Sequence, residues 1–359
     1  MRVDCGFSVV AALGEEMSAK ALVRDAAAQA AAPLVARVFA ELCDGEFHSG
    51  EDLARDLGVT RSAVWKAATA LRDLGAPMEA IRNRGYRFPV AREALVAARI
   101  SETLSRSVRD RVARLDVAWS TGSTNTELVE RANPPTGRSE VLFAEYQTAG
   151  RGRRGRTWLA PPGGAVCFSM SWTFPEVPRD AGALSLAVGV CVLRALEAQG
   201  VRDAQLKWPN DVLVGDRKLG GILIELRAES GGPACAVIGI GLNVALGAAL
   251  LEKIATTGLQ AVDLTAVAKA AVSRNALAAS LVESCMQGLL EFGQTGLRPF
   301  LDEWHHADAL RGRLVNVRAG ESSVGGLARG IDLSGALLVE TSEGLRKFFS
   351  GEVSVRPAD

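Results

Sequence analysis

Apolar residues at helical spacing define the first organised segment of the chain. Between Leu34 and Leu42 they recur every three or four positions, which predicts an amphipathic helix. Ser49 and Thr60 each stand before a further helical pattern, where an N-capping side chain is expected. Gly58 separates these two short helices. Two short helices joined by a glycine turn are typical of a helix-turn-helix.

A β-hairpin is predicted directly after the third helix. Its strands are Met78–Arg82 and Tyr86–Phe88, with Gly85 at the tip. Arginine occurs four times between residues 82 and 92, and no acidic residue interrupts this stretch. Basic residues on both a helix and the neighbouring hairpin favour a DNA-binding winged helix over a protein-binding or purely structural one. A duplex site normally requires a dimer, so that two such units reach successive half-sites. The predicted DNA contacts are Arg61, Ser62, Lys66, Thr69, Arg82 and Arg84.

The remaining patterns predict an α+β multidomain protein. The winged helix spans residues 33–92, and the alanine-rich residues 1–32 before it are expected to form a mobile extension. Residues 97–306 interleave strand-like and helical stretches, which predicts a central α+β domain on one mixed sheet. Residues 311–359 alternate short apolar runs with glycine and charged turns, as in an SH3-like β-barrel. The strand-like runs of the central domain are Val141–Ala144, Ala165–Met170, Val212–Val214, Leu219–Leu226 and Ala236–Asn243.

Composition narrows the class of protein. The chain has 359 residues, 48% of them hydrophobic, and a formal net charge of zero, so any nucleic-acid surface must be local. Six scattered cysteines without a C-x-x-C pair, and only three histidines, predict reduced thiols and no zinc site. The apolar stretch Val9–Leu13 is too short for a signal peptide, and no later run is expected to span a bilayer. These features predict a cytoplasmic protein without a membrane partner.

One loop, Gly150–Arg156, alternates glycine with arginine. Glycine lets the backbone approach a ligand closely, and arginine offers a planar fork that matches phosphate or carboxylate. No G-x-x-x-x-G-K-[ST] phosphate-binding motif occurs, so this loop would have to hold the phosphates of any nucleotide. Taken alone, the loop also fits a solvated basic turn or a fragment of an RNA-binding tail.

Two further segments carry polar groups that a core does not need. Ser123-Thr124-Asn125 offers neutral donors and acceptors for a polar, uncharged head group, and the same segment fits a helix N-cap. Lys207 to Asp211 includes Asn210 and Asp211, oxygen ligands that Mg²⁺ accepts beside substrate phosphates. Lys218 follows on a predicted hairpin, where it is either a solvated charge or, beside a Gly-Gly pair, a ligand contact.

In combination these motifs resemble the bifunctional biotin–protein ligases that also repress the biotin operon, the BirA type. The resemblance runs from about Leu34 to the C-terminus and also includes Gly239–Asn243 and Arg329–Asp332. It implies a two-step reaction in which biotin and MgATP form biotinyl-5′-adenylate, and a lysine of a carboxylase's biotin carrier domain then takes the biotin. It also implies repression at operator DNA of biotin genes, with the adenylate as corepressor and the repressor as a homodimer.

The resemblance assigns roles to individual residues. Arg153 and Lys218 would stabilise charge in the reaction, and Asn210 and Asp211 are the candidate Mg²⁺ ligands. The implied biotin contacts are Ser123, Thr124, Asn125, Gln147, Arg151, Gly152, Arg153 and Lys218. The implied ATP or adenylate contacts are Arg151, Arg153, Arg156, Trp158, Lys207, Asn210, Asp211 and Asn243.

One departure from the family concerns residues 245–262, which contain no aromatic residue. Family members can use an aromatic side chain here to pack on the adenylate and to link corepressor binding to dimerisation. Trp158 is the expected substitute for adenine packing. The alternatives are a ligase with a non-functional winged helix, a lipoate–protein ligase, and a biotin sensor without catalysis.

Overall fold

The computed structural model of the chain describes residues 32–228, 232–319, 322–349 and 353–357. The expected extension of residues 1–32 lies, apart from residue 32, outside the described residues. The chain divides into two compact units, Met1–Thr103 and Leu104–Asp359. The predicted fold class is confirmed: a helix-turn-helix unit is followed by a mixed sheet with helices and by an antiparallel C-terminal sheet.

The first unit is built from short capped helices and one hairpin. The predicted caps are present: the Ser49 hydroxyl accepts from the Asp52 amide at 3.0 Å, and the Thr60 hydroxyl accepts from the Ala63 amide at 3.2 Å. The hairpin is antiparallel and pairs Glu79 with Arg87. The elements of this unit are α1 (Leu34–Glu41), α2 (Gly50–Asp56), α3 (Arg61–Asp73), β1 (Glu79–Ile81), β2 (Gly85–Arg87) and α4 (Ala97–Thr103).

A seven-stranded mixed sheet forms the centre of the second unit. Its order is β3-β4-β5-β9-β8-β7-β6, with β3 and β4 parallel and the other neighbours antiparallel. All residues of β5 are buried, including the polar Ser169, Ser171 and Thr173 that alternate with apolar residues in its second half. The strands are β3 (Val112–Thr121), β4 (Ser139–Gln147), β5 (Ala165–Phe174), β6 (Ala204–Lys207), β7 (Asp211–Val214), β8 (Arg217–Ala228) and β9 (Ala234–Asn243).

The two longest helices of this unit, α7 and α10, pack against each other. By length and composition the segment Ala181–Ala198 is apolar enough to cross a membrane, contrary to the expectation from the sequence. Since 61% of it is buried inside the protein, its apolar surface belongs to the core. The helices are α5 (Arg106–Arg109), α6 (Thr124–Glu130), α7 (Leu184–Ala198), α8 (Ala248–Ala255), α9 (Leu264–Val267), α10 (Arg274–Thr295) and α11 (Leu301–His306).

The C-terminal part of the second unit is a five-stranded antiparallel sheet in the order β13-β12-β11-β10-β14. It is joined to the rest of the unit by the buried Trp208, whose indole N–H donates to the Gly335 carbonyl at 3.1 Å. This hydrogen bond therefore attaches the segment that carries Asn210 and Asp211 to the C-terminal sheet. The strands are β10 (Leu314–Ala319), β11 (Ser322–Ile331), β12 (Leu337–Thr341), β13 (Gly344–Phe348) and β14 (Val353–Pro357).

Candidate active site and nucleic-acid interface

A cavity of about 570 Å³ lies against the central sheet, where β4 ends and β8 begins. It brings together residues that are far apart in the sequence, because neighbouring strands and the turns between them meet at one region of the sheet. All the residues predicted to contact biotin or the adenylate line it: Ser123, Thr124, Asn125, Gln147, Arg151, Gly152, Arg153, Arg156, Trp158, Lys207, Asn210, Asp211, Lys218 and Asn243.

At the neutral end of the cavity, Thr124, Gln147 and Ser169 are joined by hydrogen bonds. The Thr124 amide donates to Gln147 Oε1 at 2.9 Å, and the Thr124 and Ser169 hydroxyl groups lie 2.8 Å apart. Ser123 occupies the N-cap position of α6, but its side chain makes no capping hydrogen bond. Its hydroxyl therefore lies at the cavity without being used by the helix. Such preset neutral donors and acceptors suit a polar, uncharged ring.

The arginine loop, whose four arginines all line the cavity, folds back on itself. The Gly152 amide donates to the Arg156 carbonyl at 2.7 Å, and the Trp158 amide donates to the Gly150 carbonyl at 2.9 Å. Arg154 has a left-handed backbone with φ of 59°, which is uncommon for a residue other than glycine. Burial lowers the pKa of Arg153, and the charges of Arg154 and Arg156 lower it further against the opposing effect of Asp211. The loop therefore concentrates positive charge that an anion would stabilise.

Lys218 lies at the start of β8 between an acid and an aromatic ring. Its Nζ is 2.5 Å from Asp211 Oδ1 and 5.9 Å from the centre of the Trp158 ring. The side-chain Nδ2 atom of Asn243 donates to the Lys218 carbonyl at 3.2 Å and to the Val262 carbonyl at 3.0 Å. Asn243 thus secures the backbone around Lys218.

Trp158 lies flat against β9 because glycine occupies position 241. A Cβ atom on Gly241 would approach the indole to 2.6 Å, so any side chain here would displace the ring. The indole therefore forms part of the cavity wall near Lys218.

A separate groove of about 940 Å³ lies in the first unit between α3 and the hairpin. It is lined by four of the predicted DNA contacts, but Lys66 and Arg84 are not among its lining residues. The Arg84 guanidinium instead stacks on the Phe47 ring at 4.1 Å. The groove also includes the exposed Trp65, for which the sequence offered no signal beyond its place on the helix. The side chains that line the groove include Arg61, Ser62, Trp65, Thr69, Arg72, Arg82 and Asn83.

Known proteins match each of these parts. Residues 117–243 match the Biotin/lipoate A/B protein ligase family, residues 40–87 an HTH domain, and residues 312–356 the Biotin protein ligase C terminal domain. The Bifunctional ligase/repressor BirA of Salmonella typhimurium is 38% identical over 321 residues, which are 89% of this chain and 96% of that protein. The protein of the same name from Escherichia coli is 36% identical over 90% of this chain and 97% of its own length. The chain belongs to the BirA family of bifunctional ligase/repressors.

A solved relative supports the same assignment. The structure of biotin protein ligase from Aquifex aeolicus in complex with biotin and ATP is 28% identical, with a TM-score of 0.58. It covers 68% of this chain and 100% of that chain. The helix-turn-helix unit of the present chain is thus an addition to a fold that is shared with other biotin protein ligases.

The predicted metal ligands, Asn210 and Asp211, both have partners within the protein. Asp211 Oδ1 is already paired with Lys218, and Asn210 Oδ1 accepts from the Arg153 guanidinium at 3.4 Å. No cluster of three His, Cys, Asp or Glu side chains occurs among the described residues. The two predicted ligands thus provide one carboxylate and one amide oxygen, and both are already engaged by cationic side chains.

Sequence reasoning missed several residues of the cavity region. Ser169 lies on β5 and bonds Thr124, and Glu225 on β8 contacts both Asn125 and Arg151. Lys253 and Thr257 line the cavity from α8 and the turn after it, within the aromatic-free residues 245–262. The sequence carries no local signal for these contacts, because each depends on the pairing of distant segments.

Proposed function

We propose that the chain attaches biotin to a lysine of a carboxylase's biotin carrier domain through biotinyl-5′-adenylate, and represses biotin genes with that adenylate as corepressor. The observation that carries the ligase assignment is the division of the cavity into a neutral end and a cationic end. Asp211 is the only carboxylate among the described residues that line it. It is outnumbered by the cationic side chains Arg151, Arg153, Arg154, Arg156, Lys207, Lys218 and Lys253.

This charge distribution suits the first step. The biotin carboxylate oxygen attacks the α-phosphorus of ATP, a carboxyl–phosphate bond forms, and the bond to the leaving pyrophosphate breaks. Both reactants are anions, and charge grows on the α-phosphate and the pyrophosphate as the bonds change. Fixed cations such as Lys218 and Arg153 stabilise that charge more than they stabilise the separate reactants.

The second step requires that the adenylate survive until the carrier arrives. The neutral amine of the carrier lysine attacks the acyl carbon, and an amide bond forms. The bond between the acyl carbon and the phosphate oxygen breaks, AMP leaves with its electron pair, and the amine proton is released to solvent. A mixed anhydride hydrolyses if water reaches it, so the arginine loop acts as a lid over the bound intermediate. Trp158 would pack on the adenine, in the role that the aromatic-free residues 245–262 cannot fill.

Mg²⁺ is proposed to enter on the phosphates of ATP, where it neutralises charge on the leaving pyrophosphate. Asn210 and Asp211 would supply oxygen atoms from the protein. For Asp211 this requires that its contact with Lys218 be shared or released. We place the reaction in the cytoplasm, in keeping with five buried thiols free of disulfides among the described residues.

The winged helix is proposed to bind operator DNA as a homodimer when the adenylate is bound. Support comes from the groove between α3 and the hairpin, where Arg61, Arg72 and Arg82 surround polar and apolar side chains. A single groove reaches one half-site, so two chains are needed for a palindromic operator.

The ligase assignment is tested by incubation with biotin, MgATP and a biotin carrier domain, followed by mass spectrometry of the carrier. We expect a mass gain equal to one biotin minus water. A gain with lipoate and none with biotin would contradict the proposed substrate. The repressor assignment is tested by gel shift on the promoter of biotin-synthesis genes, where biotin with MgATP should strengthen the shift.

A further inference from the structure

The carboxylate of Glu225 contacts both the neutral end of the cavity and the arginine loop. Asn125 Nδ2 donates to its Oε2 atom. The Arg151 guanidinium meets both of its oxygens, with each N–O distance 3.3 Å. Gly221 and Leu223 line the cavity, and Glu225 is the next residue on the same face of β8. One side chain thus connects two predicted biotin contacts.

The contact with Glu225 decides which end of the Asn125 amide faces the cavity. A carboxylate can only accept hydrogen bonds, so it holds the NH₂ end of the amide and leaves the oxygen at the other side. Asn125 is 3% exposed, and its Oδ1 atom accepts no hydrogen bond from the described residues. That oxygen lies beside Gly239, which lines the cavity, since a Cβ atom on Gly239 would approach it to 2.8 Å. A buried acceptor without a partner is costly, and an N–H donor on a ligand would relieve that cost.

The contact with Glu225 also holds the first residues of the arginine loop in position. Arg151 is the first arginine of the loop, and its guanidinium is additionally 3.2 Å from the Thr126 hydroxyl group. The bidentate ion pair ties the base of the loop to β8, beside the residue that would bind the ligand ring. Loop position and ring binding are therefore linked through one carboxylate.

We propose that Glu225 is a positioning residue of the biotin site, which presents the Asn125 oxygen to a ureido N–H and anchors Arg151 at the base of the lid. This inference rests on the proposed ligase function. Glu225 touches neither reactant in this account, and its effect passes entirely through Asn125 and Arg151.

The proposal is tested with Glu225→Gln, which keeps the shape of the side chain but gives it only one acceptor oxygen. One of the two donors then faces an NH₂ group, so the biotin Kd measured by calorimetry should rise about tenfold. In an Asn125→Ala background the same change should alter Kd by less than about twofold. Glu225→Gln should also speed the loss of bound adenylate, because Arg151 at the base of the lid loses part of its contact, and this effect should disappear in an Arg151→Ala background.

Glu127→Gln provides the matched control. Glu127 also joins an arginine to a neutral donor, with Arg131 at 2.6 Å and the Thr121 hydroxyl at 2.7 Å, but neither of these partners lines the cavity, whereas both partners of Glu225 do. Its variant should leave the biotin Kd unchanged. Glu225→Asp retains an acceptor-only carboxylate and should recover part of the affinity.

Three results would overturn the proposal. The first is an unchanged Kd in Glu225→Gln while the wild-type chain binds biotin. The second is a full effect that persists without Asn125 and Arg151. The third is a fall in the thermal midpoint of the ligand-free Glu225→Gln chain well beyond that of Glu127→Gln, since this would make the residue structural. A wild-type chain that does not bind biotin would instead contradict the proposed function itself.

Discussion

The two ends of the cavity are constructed in different ways. At the neutral end, Ser123, Thr124 and Asn125 are 3–5% exposed, and the side chains of Thr124 and Asn125 are held by neighbouring strands. At the cationic end, Arg154 and Arg156 are exposed on a loop whose backbone hydrogen bonds lie mainly within the loop. The side chains of the neutral end are therefore held in one arrangement. The arginine side chains of the cationic end can change position as ATP is converted to AMP. Changes at the two ends should affect different steps.

The largest effect is expected for Lys218→Met at the cationic end. Loss of a fixed charge beside the reacting phosphate should slow adenylate formation about 10²- to 10³-fold. Biotin binding in the absence of ATP should change far less. Single-turnover assays with labelled ATP, paired with calorimetry for biotin, separate the two quantities. Equal losses in both would contradict the division of roles between the ends.

A smaller effect is expected for Arg153→Gly in the lid. The partly buried guanidinium should be lost as a contact to the bound adenylate, and release of the adenylate should accelerate about tenfold. Filter retention of labelled adenylate measures this rate. Arg202→Gly removes an arginine from a surface loop, where its ion pair to Glu197 is 3.7 Å long, and should leave retention unchanged. Unaltered retention in Arg153→Gly would remove the residue from the lid.

At the neutral end, Thr124→Val keeps the shape of the side chain but removes its hydroxyl group. Biotin affinity should fall about tenfold, because Ser169 and Gln147 lose a partner that also faces the ligand. The rate of adenylate formation at saturating biotin should stay near that of the wild type. Thr295→Val, at the exposed end of α10, is the control. A loss confined to the saturated rate would show that Thr124 acts on the chemistry.

The smallest effects are expected for changes in the groove between α3 and the hairpin. Arg61→Ala should weaken operator binding and lower the slope of binding against salt by about one. Lys66→Ala should have less effect, since Lys66 is not among the residues that line the groove. Gel shifts at two or more salt concentrations compare them. The assignment of α3 as the recognition helix would be wrong if neither variant changed the shift.

The sequence predicted the elements that bury a continuous or periodic apolar pattern, such as β5, β9 and the capped helices of the first unit. It missed β3, β6 and β13. The first two are the edge strands of the central sheet, and β3 carries Arg114 and Asp116, while β13 exposes every residue except Phe348. Such strands are defined by backbone pairing with a neighbour and lack a face that must be buried.

Of the candidate site, the sequence predicted those residues that belong to a recognisable motif. Glycine-rich and polar segments after apolar runs indicated residues that the sheet then brings to one cavity. Contacts between a motif and an unremarked strand residue, such as Thr124 with Ser169 or Asn125 with Glu225, require the strand register. On α3 the sequence predicted a basic face, but only the position of the hairpin decides which part of that face forms the groove.

The central claim, that one cavity joins biotin to AMP and holds the product for a carrier lysine, is tested most directly with ATP labelled at the α-phosphate. The chain should retain the label as biotinyl-5′-adenylate only when biotin is present. Addition of a biotin carrier domain should then release labelled AMP in proportion to the biotin transferred. Transfer without a retained adenylate, or retention that does not depend on biotin, would contradict the account.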